Sequence, residues 1–68
     1  MGDIIPIETN RNKIKRRLES DGWYLSRHGS NHDIYRHPRK SGTITLPRHR
    51  TLTPGVVRTI AARAGWTD

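Results

Sequence analysis

The run Trp23-Tyr24-Leu25-Ser26-Arg27-His28-Gly29-Ser30-Asn31-His32-Asp33-Ile34-Tyr35-Arg36-His37-Pro38 decides the fold. Trp23 to Arg27 is rich in residues that suit a pleated, half-buried surface and reads as a first strand. His28-Gly29-Ser30-Asn31 is a polar turn whose glycine admits the positive backbone angles of a tight connection. His32 to His37 then forms a second strand, which Pro38 stops. Past the turn Arg39-Lys40-Ser41-Gly42, the segment Thr43-Ile44-Thr45-Leu46 alternates polar and apolar like a strand with one buried face, and Pro47 ends it. Trp23, Leu25, Ile44 and Leu46 are the expected core. Ile34 and Tyr35 are adjacent and must face opposite sides of the sheet; the direction of Tyr24 and of Tyr35 stays open.

Outward from this stretch, Thr9 or Asn10 offers an N-cap for Arg11 to Ser20, a charged run without Gly or Pro. Ile14 and Leu18 share one face of that helix, and Asp21-Gly22 ends it. On the other side, the basic loop Arg48-His49-Arg50 is followed by Thr53-Pro54, a cap and a first-turn proline. Gly55 to Ala64 places Val56, Val57, Ile60, Ala61 and Ala64 at helical spacing, with Gly65 as terminator. The expected fold is α+β, helix-strand-strand-strand-helix: a three-stranded antiparallel sheet with two helices on one face. Double-stranded-RNA-binding domains use this layout. Residues 1–9, with Pro6 among Ile4, Ile5 and Ile7, read as an N-terminal arm, flexible or extended along the domain, and 10–68 as the domain itself.

A 68-residue chain supports one core, and a hydrophobic content of 31% makes it a thin one. With no cysteine there is neither a disulfide framework nor a thiolate zinc site. The longest apolar stretches fall far short of the ~20 residues a bilayer demands, so no membrane association and a cytoplasmic location are expected. Thirteen Lys and Arg face six Asp and Glu, a net charge of +7. After Asp33 no acid occurs before Asp68, while Arg36, Arg39, Lys40, Arg48, Arg50, Arg58 and Arg63 all fall between. Such clustering points to a nucleic acid rather than to a merely solvated basic surface.

His32 stands where a glycine turn meets a strand, and a strand end holds a side chain firmly. An imidazole there can exchange protons near neutral pH, as cleavage of a phosphodiester by a ribose 2′-hydroxyl requires. The amides of Gly29, Ser30 and Asn31 can face a phosphate. By itself this signal is weak, because a histidine beside a turn is more often structural or solvated. His28 and His32 have a spacing known from metal sites, but no carboxylate or cysteine completes a shell, and no metal is expected. His37, before Pro38, reads as structural or phosphate-contacting.

Asp21-Gly22-Trp23-Tyr24, then Gly29-Ser30-Asn31-His32 with Tyr35-Arg36-His37-Pro38, then Gly42 to Pro47 and Ala64-Gly65-Trp66 together resemble the HicA family, in the family's order and over Asn10 to about Trp66. The resemblance implies a type II toxin–antitoxin toxin, an mRNA interferase silenced by a HicB-type antitoxin; we further expect an endoribonuclease that works without metal or cofactor and is monomeric when free. Its signature is a Gly-Ser-His run with an aromatic residue three positions after the histidine. His32 and Tyr35 keep that spacing, while Asn31 intervenes after Ser30. The resemblance makes His32 the catalytic residue; His28, close to it in sequence, and His49, between Arg48 and Arg50, are the candidate auxiliaries. Lys13, Arg16, Arg17, Arg36, Arg48 and Arg50 are then expected on the RNA backbone, with Gly29, Ser30 and Asn31. The alternative is an RNA-binding module of the same fold that does no chemistry.

Overall fold

The computed structural model describes residues 8–66. In chain order it contains α1 (Arg11–Ser20), β1 (Tyr24–His28), β2 (His32–Arg36), β3 (Ile44–Pro47) and α2 (Pro54–Ala64). The strands pair antiparallel in the order β1-β2-β3, and the α+β layout read from the sequence is the one adopted. Asn10 rather than Thr9 caps α1, its side-chain oxygen accepting from the Lys13 N–H at 3.2 Å. Thr53 does the same for α2, accepting from the Val56 N–H at 3.3 Å. Gly65 closes α2 at φ 79°, in the left-handed region that a side chain would disfavour.

Some strand ends differ from expectation. Trp23 lies just before β1, His37 just after β2, and Thr43 before β3, while Pro47 is inside β3. A proline is tolerated there because β3 is an edge strand and needs no N–H on its outer side. The Pro47 carbonyl accepts from Arg11 Nε at 2.7 Å.

The core lies between the helices and one face of the sheet. Ile14 and Leu18 enter from α1, Val57, Ile60 and Ala64 from α2, Tyr35, Ile44 and Leu46 from the strands, and Trp23 and Leu52 from the connections. Each larger side chain buried this way contributes roughly 1.5–3 kcal/mol. Tyr35 is the inward member of its pair and is fully buried, which pushes its phenol pKa up; Ile34 takes the other face. Leu25, expected in the core, is 42% exposed. It sits on the edge strand β1, whereas the helices pack mainly over β3, so it is left partly open.

A bulge in β1 governs which side chains reach which face. Leu25 pairs with Tyr35 and Arg27 with Ile34, so Ser26 is an extra residue opposite a single partner. Strict alternation from Leu25 would have pointed Arg27 at the helices and His28 away from them. The extra residue reverses both. Arg27 joins Ile34 on the open face, and His28 comes opposite Asp33 on the helix side.

At the end of the expected arm the Thr9 carbonyl accepts from the Leu52 N–H at 2.8 Å, and the first residue of the domain, Asn10, bridges to Thr51, so the two are tied to the loop before α2. Residues 1–7 lie outside the described residues.

Candidate active site

The start of α1, the β1–β2 turn and the β3–α2 loop meet at Asp33, the one buried charged side chain among the described residues. Its Oδ2 accepts from Arg11 Nη2 at 2.7 Å. Its Oδ1 accepts from His28 Nδ1 at 2.8 Å and from Arg48 Nε at 3.0 Å. The hydrogen bond from His28, and after it the Arg48 guanidinium, hold the Asp33 carboxyl down to about 2 against the opposing pull of burial. An ionised carboxylate can only accept, so His28 carries its proton on Nδ1. That fixes the ring and leaves Nε2 outward on a side chain that is 66% exposed.

Arg48 also braces the turn. Its Nη2 donates to the Gly29 carbonyl at 2.9 Å, and its own backbone N–H donates to the Asn31 carbonyl at 3.1 Å. Inside the turn the Gly29 N–H donates to the His32 carbonyl at 2.7 Å, so this amide is engaged by the fold. The amides of Ser30 and Asn31 have no backbone acceptor among the described residues. His32, half-buried, opens β2 on the open side of the sheet, and its ring lies over Gly29. A Cβ at Gly29 would come 3.0 Å from His32 Nε2 and 3.0 Å from the His32 carbonyl oxygen. Gly29 does not have the positive φ that the sequence suggested. The position favours glycine because a ring and a carbonyl crowd the space where a side chain would start.

The remaining sequence-derived residues divide. His49 and Arg50 are exposed in the β3–α2 loop at this same end, where the Arg50 carbonyl accepts from the Arg11 N–H at 3.0 Å. Lys13 lies in the first turn of α1, loosely paired with Glu8 at 3.7 Å, and Arg16 is exposed one turn on. Arg36 is exposed at the far end of β2. Arg17 lies apart from them: its guanidinium is 4.2 Å over the ring of Trp66, whose indole N–H donates to Asp21 at the other end of the domain. His37 is structural. Its Nε2 pairs with the Asp21 carbonyl at 2.8 Å, and its Nδ1 accepts from the Arg39 N–H at 3.0 Å.

Sequence reasoning passed over Asp33 and Arg11. A signal was present: a single acid directly after His32, opening a stretch of chain that holds cations and no other carboxylate before Asp68. Among the described residues no three His, Cys, Asp or Glu side chains converge as metal ligands would. No described helix is long and apolar enough to cross a membrane.

This arrangement defines a small basic α+β domain of the double-stranded-RNA-binding layout, with a histidine poised beside a guanidinium-braced turn. The sequence profile described as "HicA toxin of bacterial toxin-antitoxin" matches residues 11–66, and the chain belongs to that family. It is thus a toxin of a toxin–antitoxin system, whose biology supplies an antitoxin partner. No curated protein matches the chain at a significant level.

Proposed function

We propose that the chain is a metal-independent endoribonuclease that cuts messenger RNA, blocks translation, and is neutralised by a HicB-type antitoxin. The 2′-oxygen of the ribose attacks the adjacent phosphorus while the bond from phosphorus to the 5′-oxygen breaks. The proton lost by the 2′-hydroxyl is balanced by one gained at the leaving oxygen. The products are a 2′,3′-cyclic phosphate and a free 5′-hydroxyl. His32 moves one of these protons. His28 is the auxiliary that the geometry orients, since Asp33 holds its Nδ1 and leaves Nε2 outward. His49 lies exposed nearby without such a brace. The amides of Ser30 and Asn31 and the cations Lys13, Arg16, Arg48 and Arg50 bind the phosphates around the cut, and Arg36 binds further along the strand.

The observation that supports this reading is the His32 ring, half-buried at the head of β2 beside the turn that Arg48 braces. The test is end-group mapping of an RNA containing one deoxyribose at the cut site. The expected result is a cyclic phosphate and a 5′-hydroxyl from the all-ribose strand, in chelator, and no cut at the deoxyribose. Cutting there would remove the 2′-hydroxyl as nucleophile. Tight RNA binding with no cleavage of any strand would favour the non-catalytic module.

A further inference from the structure

We infer that the helix-free face of the sheet is a platform for single-stranded RNA, with Tyr24 stacking on a base and Arg27 and Arg36 holding phosphates. The inference rests on the reading of the chain as a ribonuclease and adds the form of its substrate and the path that it takes.

The pairing register assembles this face. His32 stands opposite Pro47, Ile34 opposite both Arg27 and Thr45, and Arg36 opposite Tyr24, while the alternate residues Asp33 and Tyr35 face the helices. Only because Ser26 bulges does Arg27 reach the open side. Tyr24 is 50% exposed. Arg27 and Arg36 are exposed and have no ion-pair partner among the described residues, in contrast to Arg11 and Arg48, which are bound to Asp33. No carboxylate falls at any of these open-face positions.

The chemistry of the face selects its occupant. Cations without acids complement a phosphodiester chain, and an exposed ring offers what an unstacked base needs. A protein partner would want an apolar centre depleted of charge, and here the apolar side chains are Ile34 and Pro47, both half-buried. A duplex keeps its bases stacked inside and would give Tyr24 nothing to stack on. His32 and Arg36 are four residues apart on one strand, about 13 Å at the usual rise. An extended RNA strand leaving the cut site along β2 therefore meets Ile34 and then the Arg36–Tyr24 pair.

The test is fluorescence anisotropy of a labelled single-stranded 12-nucleotide RNA, with the full chain carrying His32→Ala so that nothing is cut. Adding Tyr24→Ala is expected to weaken binding about tenfold, while Tyr24→Phe keeps it. Adding Arg27→Gln with Arg36→Gln is expected to lower the slope of log affinity against log salt by about 1.4, two single-strand phosphates' worth. Competition by a duplex of equal length should be weaker than by the single strand. Full affinity in both the alanine and the double glutamine variants overturns the platform and leaves the ribonuclease reading standing, as would loss of antitoxin binding with RNA binding untouched. RNA that is neither bound by this protein nor cut by the unsubstituted chain overturns both.

Discussion

The two ends of the domain are each organised around histidine, and they use it in opposite ways. At the α1 C-terminal end, His37 has both ring nitrogens engaged, Nε2 on the Asp21 carbonyl and Nδ1 under the Arg39 N–H, with Trp23 packed edge-on at 5.2 Å between centroids. At the turn end, His28 has one nitrogen fixed by Asp33 and the other turned outward, and His32 lies over a glycine with no ring hydrogen bond among the described residues. A ring with both nitrogens occupied holds the backbone together. A ring with a free nitrogen, in a fixed pose, can accept or deliver a proton. Residue type alone does not separate the two; the hydrogen-bond inventory does.

The largest contrast is expected between His32→Ala and His37→Ala. Removing His32 should lower RNA cleavage by about 10²–10⁴-fold with the melting temperature little changed, the range for a lost general acid or base. Removing His37 should do the reverse, costing about 0.5–1.5 kcal/mol in urea unfolding through its lost hydrogen bonds to the Asp21 carbonyl and the Arg39 amide, with cleavage per folded molecule retained. Equal loss of cleavage in both variants would erase the distinction between the ends.

Next comes Asp33→Asn, which keeps the shape and deletes the charge. The native carboxyl lies at about 2 against an ordinary 3.8, so its contribution is present in full above about pH 4 and disappears as pH falls through 2. That shift corresponds to ~2.5 kcal/mol at most, and less in practice because Arg48 is partly in water. Urea unfolding at pH 7 and at pH 2.5 should show the gap between the native chain and the Asp33→Asn variant narrowing at the lower pH; a constant gap would mean that the carboxyl is not the tie. The smallest effect is expected from Gly29→Ala. The His32 carbonyl cannot swing aside as freely as the ring, so stability should drop by about 1 kcal/mol and cleavage by about tenfold.

The sequence carried the elements because each has a local cause: Asn10 and Thr53 as caps, Pro54 in a first turn, Gly65 after α2, and Ile44 and Leu46 alternating with threonine. What it did not carry depends on contacts between distant positions. Leu25 had the composition of a core residue, but coverage by a helix is a property of the assembled layers. Ser26 has nothing about it that announces a bulge, yet its extra place in the ladder decides where Arg27 and His28 point. Asp33 becomes a hub only when Arg11 and Arg48, 22 and 15 residues away, are folded onto it. The stacking of Arg17 on Trp66 joins positions 49 residues apart and has no local signature.

Pro47 has a consequence for how copies of the domain treat one another. It places a residue with no hydrogen to donate at the end of the outermost ladder, and Arg11 already occupies its oxygen. In a strand of only four residues, that removes much of the template on which another chain could zip itself. On that side of the sheet, copies of the domain are thereby given a poor seam for joining strand to strand.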